Sequence, residues 1–162
     1  MVKAVKRITT VLLCMLAMAV SAQKTSVHYE DDALFKDALK LYEKEKFGAA
    51  QKGFEQVIEK YRSVRNGTQG AAEYYRAVCA IELFNPDAEY LITAFLDDFP
   101  ESPYAIRARY DMAKFKYRDQ AYPEAVTWFA LVNEYDVPKD EKSEYQFKYG
   151  YSLFSEIGRA HV

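Results

Sequence analysis

The stretch FGAAQKGFEQVIEKY, residues 47–61, decides the fold because its hydrophobic spacing returns twice along the chain. The spaced side chains stand at offsets of 0, 3, 7, 10 and 14 and are Phe47, Ala50, Phe54, Val57 and Tyr61. The same offsets return 38 residues later in Asn85, Ala88, Ile92, Phe95 and Phe99. The first four return after another 37 residues in Tyr122, Ala125, Phe129 and Val132. Steps of three and four residues follow one face of a helix, so the pattern predicts an all-α fold of tandem helical hairpins.

Each repeat predicts two amphipathic helices joined by a short turn. The complete units are expected at about 33–62, 69–100 and 103–136, and a partial fourth unit at 142–155. The second helices are expected at 49–61 and 87–99, and from Pro123 to Tyr135. In unit two the small residue of the first helix stands one position out of register, at Ala77. This departure predicts a shorter first helix or a shorter turn in that unit.

Proline and acidic residues mark where the second helices begin. Pro86 and Pro123 follow the first residue of the pattern, where proline is tolerated because that amide has no partner inside the helix. Asp87 and Glu124 come next and place negative charge in a first helical turn, where the helix dipole favours it. In the junction FPESP, residues 99–103, the serine can cap the following helix. These signals agree in register with the hydrophobic spacing.

This combination resembles the tetratricopeptide repeat. The matching features are an early alanine and a later aromatic residue in the second helix, a small residue in the first helix and a terminal proline: Ala50, Ala88, Ala125, Phe54, Phe129, Ala38, Ala113, Gly150 and Pro100. The units exceed the family's roughly 34 residues, which implies longer connections. The phrase FPESPYA, residues 99–105, is similar to a subgroup found in exported bacterial envelope proteins, including the BamD and YbgF types. The resemblance implies a right-handed superhelical solenoid of tandem helix-turn-helix repeats over residues 33–155.

Residues 1–22 read as a signal peptide. A basic start precedes 13 mainly apolar residues, 8–20, which fall short of the ~20 that a membrane-spanning helix needs. Small residues at the two positions read by signal peptidase predict cleavage before Gln23, followed by a flexible leader at 23–32. We therefore expect an exported protein, periplasmic or outer-membrane-associated in a Gram-negative bacterium. Membrane contact is expected to be peripheral at most, or made through a partner.

The last residues interrupt the fourth repeat. Ile157–Val162 carries no helical pattern and looks like one reading frame of a common sequencing adapter. We therefore expect 156–162 to be an artefactual tail on a fragment of a longer natural protein. The content of that protein beyond the fourth repeat stays open, and a catalytic domain there remains an alternative.

Composition argues against nucleic-acid binding and against catalysis. The formal net charge is −2, falls to −5 once the basic leader is removed, and includes no basic block that could neutralise phosphates. The two histidines, His28 and His161, lie outside the predicted helices, so no Ser-His or Cys-His pair can be proposed. Cys79 lies on an apolar helix and is expected to be a core thiol. We expect no enzyme activity, no cofactor and no metal site.

The aromatic content points to binding. The chain has 14 tyrosines, 10 phenylalanines and one tryptophan, more than a repeat core requires. In the resembling family the first helices line a concave groove that holds peptide segments. Carried over by position, that resemblance implies a partner-binding face formed by Phe35, Tyr42, Tyr74, Tyr110, Lys114, Tyr117 and Arg118. Tyrosine and arginine are favoured at interfaces, although each tyrosine can instead pack between neighbouring helices.

The sequence thus predicts a non-catalytic protein–protein interaction scaffold of the bacterial cell envelope. It would bind a peptide or a partner subunit along the concave face. Two alternatives remain: the interaction arm of an outer-membrane or cell-wall assembly factor, and a glycan-binding module whose exposed aromatic rings stack on sugars.

Overall fold

The computed structural model describes residues 33–159, and this part of the chain is all-helical, without a strand. Its seven α-helices are α1 Ala33–Glu43, α2 Phe47–Tyr61, α3 Gly67–Glu82, α4 Ala88–Asp98, α5 Ala105–Arg118, α6 Tyr122–Ala130 and α7 Lys142–Arg159. A short 3₁₀ helix, Glu134–Asp136, precedes α7. The predicted signal peptide and leader, and the last three residues of the chain, lie outside the described residues. The prediction of an all-α fold is confirmed.

The helices pack in chain order, and alternate helices also touch. Each helix contacts the next one, from α1 against α2 to α6 against α7. In addition, α1 contacts α3, α3 contacts α5 and α5 contacts α7. We call α1, α3, α5 and α7 the odd-helix row. Within residues 33–159 no helix is long and apolar enough to cross a membrane.

The repeating pattern forms the core between the helices of each hairpin. Its buried members are Ala50, Phe54, Val57, Ala88, Ile92, Phe95, Ala125, Phe129 and Val132. Each large apolar side chain that is fully buried stabilises the fold by about 1.5–3 kcal/mol. The hydrophobic spacing therefore predicted the right faces of α2, α4 and α6.

The three hairpin turns share one capping geometry. Each first helix is followed by a non-glycine residue with positive φ, and these residues are Glu45 at 57°, Phe84 at 56° and Gln120 at 60°. The next amide bonds to a carbonyl oxygen five positions back at 2.9 to 3.0 Å, in the pairs Lys46 to Leu41, Asn85 to Ala80 and Ala121 to Lys116. This is the Schellman motif, which satisfies carbonyl groups that a helix end leaves without intrahelical partners.

Unit two has a shorter turn than its neighbours. The positive-φ residue precedes the buried alanine of the second helix by five positions in units one and three, but Phe84 precedes Ala88 by four. The predicted departure of unit two is therefore confirmed at the turn. Its first helix is not shorter, because α3 has 16 residues against 11 in α1 and 14 in α5.

Two helix ends differ from the prediction by more than two residues. The second helix of unit three, predicted to reach Tyr135, ends at Ala130. Beyond it, Leu131 and Val132 donate to carbonyl groups only three residues back, so the chain tightens and leaves the α-helical path. The other difference is α7, which continues to Arg159 because nothing after residue 155 breaks a helix strongly.

Helices α1 and α2 approach closely where two small residues meet. A Cβ atom added to Gly53 would lie 2.8 Å from the Cβ of Ala38 and 3.3 Å from its Cα. Ala38 is buried and has no flexible side chain that could move aside. The crossing of these two helices therefore requires glycine at position 53.

Replacing Gly53 by alanine should lower the free energy of unfolding by about 1–3 kcal/mol, because the added methyl group overfills the crossing. The matched control is Gly48→Ala in the same helix, where an added Cβ meets nothing within 4 Å. That control should raise stability by about 0.5–1 kcal/mol through helix propensity. Urea denaturation followed by circular dichroism measures both. Equal effects of the two variants would contradict a close crossing.

Candidate interaction cleft

A cleft of about 300 Å³ opens where three alternate helices meet. Its lining comes from α3, α5 and α7 and comprises Ile81, Glu82, Asp111, Lys114, Phe115, Tyr117, Arg118 and Lys148. The helices α2, α4 and α6 contribute none of these residues. The cleft therefore belongs to the odd-helix row.

The cleft is assembled from equivalent positions of successive units. Tyr74, Asp111 and Lys148 follow one another at intervals of 37 residues. Since α3, α5 and α7 lie side by side, equivalent positions on them become neighbours. The Tyr74 hydroxyl accordingly donates a hydrogen bond of 2.8 Å to Asp111 Oδ2, across the contact between α3 and α5.

Asp111 is a buried carboxylate that accepts from three groups. Besides the Tyr74 hydroxyl, Arg107 Nε donates to its Oδ1 at 3.1 Å, and Lys114 Nζ lies 3.0 Å from the same oxygen. Arg107 also donates from Nη1 to Glu141 Oε1 at 2.5 Å, just before α7 begins. These bonds join α3, α5 and the segment that leads into α7. Such a carboxylate can be buried because its charge is paired and hydrogen-bonded.

Arg118 fastens the end of α5 to the end of α3. Its Nη2 donates to the carbonyl oxygen of Ile81 at 2.7 Å, and its Nη1 lies 3.4 Å from Glu82 Oε2. Its guanidinium carbon stands 4.0 Å from the centre of the Phe84 ring. A cation suits this place because the carbonyl groups of a helix C-terminus carry partial negative charge. Arg118 therefore has a structural role besides lining the cleft.

Three residues of the predicted partner-binding face lie in the core instead. Phe35, Tyr74 and Tyr110 are only 3, 5 and 1% exposed. Their rings pack against other rings, with centroid distances of 5.6 Å from Phe35 to Phe54, 4.7 Å from Tyr74 to Tyr104 and 6.2 Å from Tyr110 to Phe129. The first helix of a unit packs against other helices on more than one side, and these three rings lie in the contacts between helices. We therefore remove them from the candidate surface.

The other four predicted residues, Tyr42, Lys114, Tyr117 and Arg118, reach the surface. Lys114 and Arg118 already have carboxylate partners inside the molecule. Tyr117 lines the cleft, whereas Tyr42 does not. Burial, with the nearby charge of Asp111, raises the pKa of Tyr42 to about 12.

Sequence reasoning missed five residues of the cleft, namely Ile81, Glu82, Asp111, Phe115 and Lys148. A signal for two of them was present, because Asp111 and Lys148 continue the 37-residue register of Tyr74. No such signal indicated Glu82 and Phe115. Their place in the cleft depends on where α3 ends and on the angle between α3 and α5.

The described residues hold no cluster with obvious metal or nucleophilic chemistry. Residues 33–159 contain no group of three or more His, Cys, Asp or Glu side chains placed to hold a metal ion. Cys79 is fully buried, and burial raises the pKa of its thiol to about 12, so the thiol stays protonated at neutral pH. The prediction that Cys79 is a core thiol is confirmed.

Comparison with known proteins places the chain in no family. No family model matches it, and no curated protein or solved structure does so either.

Asp111→Ala should lower the free energy of unfolding by about 3 kcal/mol, because two cations and the Tyr74 hydroxyl lose their shared acceptor. The control is Asp98→Ala, which removes an exposed ion pair with Arg65 and should cost at most about 1 kcal/mol. Urea denaturation at neutral pH compares the two. Equal losses would contradict a structural role for the Asp111 cluster.

The raised pKa of Tyr42 predicts a loss of stability at alkaline pH. A group whose pKa rises on folding stabilises the fold fully below its unfolded value, here 10.0, and loses that contribution as the pH climbs towards about 12. Tyr42→Phe removes the titrating hydroxyl, so its unfolding free energy should fall less than that of the parent between pH 9 and pH 12 (about the window set by the two pKa values). Denaturant titrations across this window test the difference. Parallel curves for the two proteins would rule it out.

Proposed function

We propose that this chain is a non-catalytic protein–protein interaction scaffold that binds a peptide or a partner subunit along the odd-helix row. The observation that carries the proposal is the cleft, which three alternate helices build and the intervening helices do not enter. A ligand lying across it contacts successive units at once. Each unit then adds contacts of the same kind, which suits an extended ligand.

We further propose that the helical hairpins form a right-handed superhelical solenoid of the tetratricopeptide type. The contacts between alternate helices, the common turn geometry and the close crossing at Gly53 support this assignment. In such a solenoid the odd-helix row forms the concave side. The cleft then lies inside the curve, where a peptide can be enclosed on more than one side.

The charges of the cleft describe a polar, extended ligand. Two cations at its edge, Arg118 and Lys148, are held by Glu82 and Glu144 in partly exposed ion pairs. Exposed pairs contribute at most about 1 kcal/mol each, so a ligand carboxylate can replace either glutamate at little cost. The hydroxyl group of Tyr117, which lines the cleft, can bond to peptide groups of the ligand. These features favour a peptide with backbone groups exposed and an acidic side chain.

We propose that the scaffold works in the cell envelope of a Gram-negative bacterium, in the periplasm or associated with the outer membrane. The support for this location is the pattern of residues 1–22, which has the basic start, apolar stretch and small residues of an export signal. Service as the interaction arm of an outer-membrane or cell-wall assembly factor is a more specific form of the same proposal.

Short random peptides displayed on phage provide a probe for the cleft. Peptides selected on the purified chain should bind Lys148→Glu at least about tenfold more weakly, because the variant reverses a charge that lines the cleft. The matched control is Tyr90→Ala, which removes a large exposed side chain from α4, away from the odd-helix row. Titration calorimetry measures binding, and melting temperatures verify that each variant is folded.

Two outcomes would contradict the peptide proposal. Selected peptides that ignore Lys148→Glu but lose affinity for Tyr90→Ala would move the site to the even-numbered helices. Binding to a glycan array without any peptide selection would instead favour the glycan-binding alternative.

A further inference from the structure

A groove of about 540 Å³ lies where the start of α3 meets the connection from α4 to α5. One wall comes from the start of α3 and the turn before it, and includes Asn66 and Gly70. The other wall comes from the connection and includes Phe99 and Pro100. We call this recess the first junction groove. It shares no lining residue with the cleft of the odd-helix row.

A second groove of about 310 Å³ occupies the same place one unit later, where the start of α5 meets the connection from α6 to α7. We call it the second junction groove. Four lining residues of the first groove correspond to four of the second at a distance of 37 positions, in the pairs Asn66 and Pro103, Gly70 and Arg107, Phe99 and Asp136, and Pro100 and Val137. Pro103 lines both grooves, so the two adjoin.

The first junction groove stays open although a complete unit follows it in the chain. All of its lining residues lie between positions 65 and 104, and neither α6 nor α7 contributes to it. Packing of the following unit therefore does not cover this groove. Since the second groove is built from equivalent positions, the pair is a recurring feature of the repeat.

The walls of both grooves are largely apolar and are held in place by packing. The ring of Phe99 stacks on that of Phe95 with 6.1 Å between the centroids. A Cβ atom added to Gly70 would lie 3.0 Å from the Phe99 ring, so glycine allows α3 to approach this ring closely. Three prolines, whose rings fix the φ angle, also line the grooves, and these are Pro100, Pro103 and Pro138. Preformed apolar recesses of roughly 300–1,000 Å³ are typical of ligand sites.

The first junction groove has more carboxylates than cations. Its charged residues are Arg65, Asp98 and Glu101. Arg65 and Asp98 form an ion pair with each other. Glu101 is exposed, and within residues 33–159 its carboxylate makes no hydrogen bond and no ion pair. A cationic group of a ligand would therefore find an available partner here.

The second junction groove has a similar excess of negative charge. Arg107 lines it but is already paired with two carboxylates that do not, Asp111 and Glu141. Asp136 also lines this groove and is exposed, and its carboxylate makes no hydrogen bond and no ion pair in the described part of the chain. A ligand that crosses both grooves therefore meets apolar walls and one available carboxylate in each.

We propose that the two junction grooves form one docking surface for an extended peptide segment of a partner protein that is both basic and apolar. Apolar side chains of the segment fill the grooves, and its lysine or arginine side chains pair with Glu101 and Asp136. Packed helices lie about 8–10 Å apart, so a peptide of about nine residues, up to about 30 Å long, spans both grooves. This surface is separate from the proposed function, whose cleft favours an acidic ligand.

A fluorescent synthetic peptide of that length, repeating leucine, lysine and serine, provides the probe, and fluorescence anisotropy measures its binding to the full chain. Glutamate in place of every lysine should weaken binding at least about tenfold, because Glu101 and Asp136 then repel the ligand. Serine in place of every leucine should also weaken it, because the grooves then gain no apolar contact. A probe that does not bind, or that binds equally well after either replacement, would overturn the proposal.

Two matched double variants locate the binding site on the protein. Glu101→Lys combined with Asp136→Lys should weaken binding of the probe at least about tenfold. Glu55→Lys combined with Asp119→Lys makes the same change of net charge at exposed positions outside both grooves, and should have a much smaller effect. Melting temperatures verify that each variant is folded. Equal effects of the two double variants would contradict binding in the grooves.

A photoreactive leucine analogue in the probe gives an independent location. Cross-links identified by mass spectrometry are expected within residues 98–104 and 132–138. Cross-links confined to the cleft of the odd-helix row, or to any segment outside the two grooves, would overturn the proposal while leaving the proposed function of the cleft untouched.

Discussion

The close approach of helices at small residues is the constraint on which the other packing depends. Where Ala38 faces Gly53, two helices come near enough for the rings on either side of the crossing to touch. The rings of Phe35, Phe54 and Tyr75 then contact one another and form part of the hairpin core. Larger residues at the crossing would separate the helices and leave the rings in partly empty space, which interiors do not tolerate well. The aromatic core is therefore a consequence of the small residues, although the aromatic residues are far more numerous.

The regular unit length determines which side chains meet between successive units and so form the cleft. Because units recur at 37 or 38 residues, an odd helix presents its side chains beside the matching positions of the next odd helix. The bonds from Tyr74 to Asp111 and from Arg118 to Ile81 each join residues 37 positions apart. The odd-helix row thus holds polar contacts that join successive units. A buried carboxylate is a poor source of net stability, and its bonds here favour a single alignment of α3 with α5.

Helix positions and the faces of α2, α4 and α6 could be predicted from the sequence, because a single helical period decides both. The exposure of the tyrosines could not, since an odd helix packs on an even helix and on its odd neighbours, so more than one of its sides is covered. Tyr74 and Tyr42 look alike in the sequence, yet only Tyr74 is fully enclosed. The cleft residues Glu82 and Phe115 depend on how one hairpin is rotated against the next, and no local pattern records that rotation. Helix α6 likewise ends early because of the hydrogen bonds formed after Ala130. No helix-breaking residue marks this end in the sequence.

The turn of unit two shows how this architecture can accept changes in chain length. Within a helix, one deleted residue would rotate every later side chain by about 100°, turning a buried face towards solvent. Between Phe84 and Ala88 the chain is one residue shorter than in its sister units, yet the Schellman bonds and the buried alanine are retained. A change of chain length in a turn therefore leaves the buried side of each neighbouring helix unchanged. Insertions and deletions accumulated over evolution would be expected to collect there, while the helices keep their lengths and their facing sides.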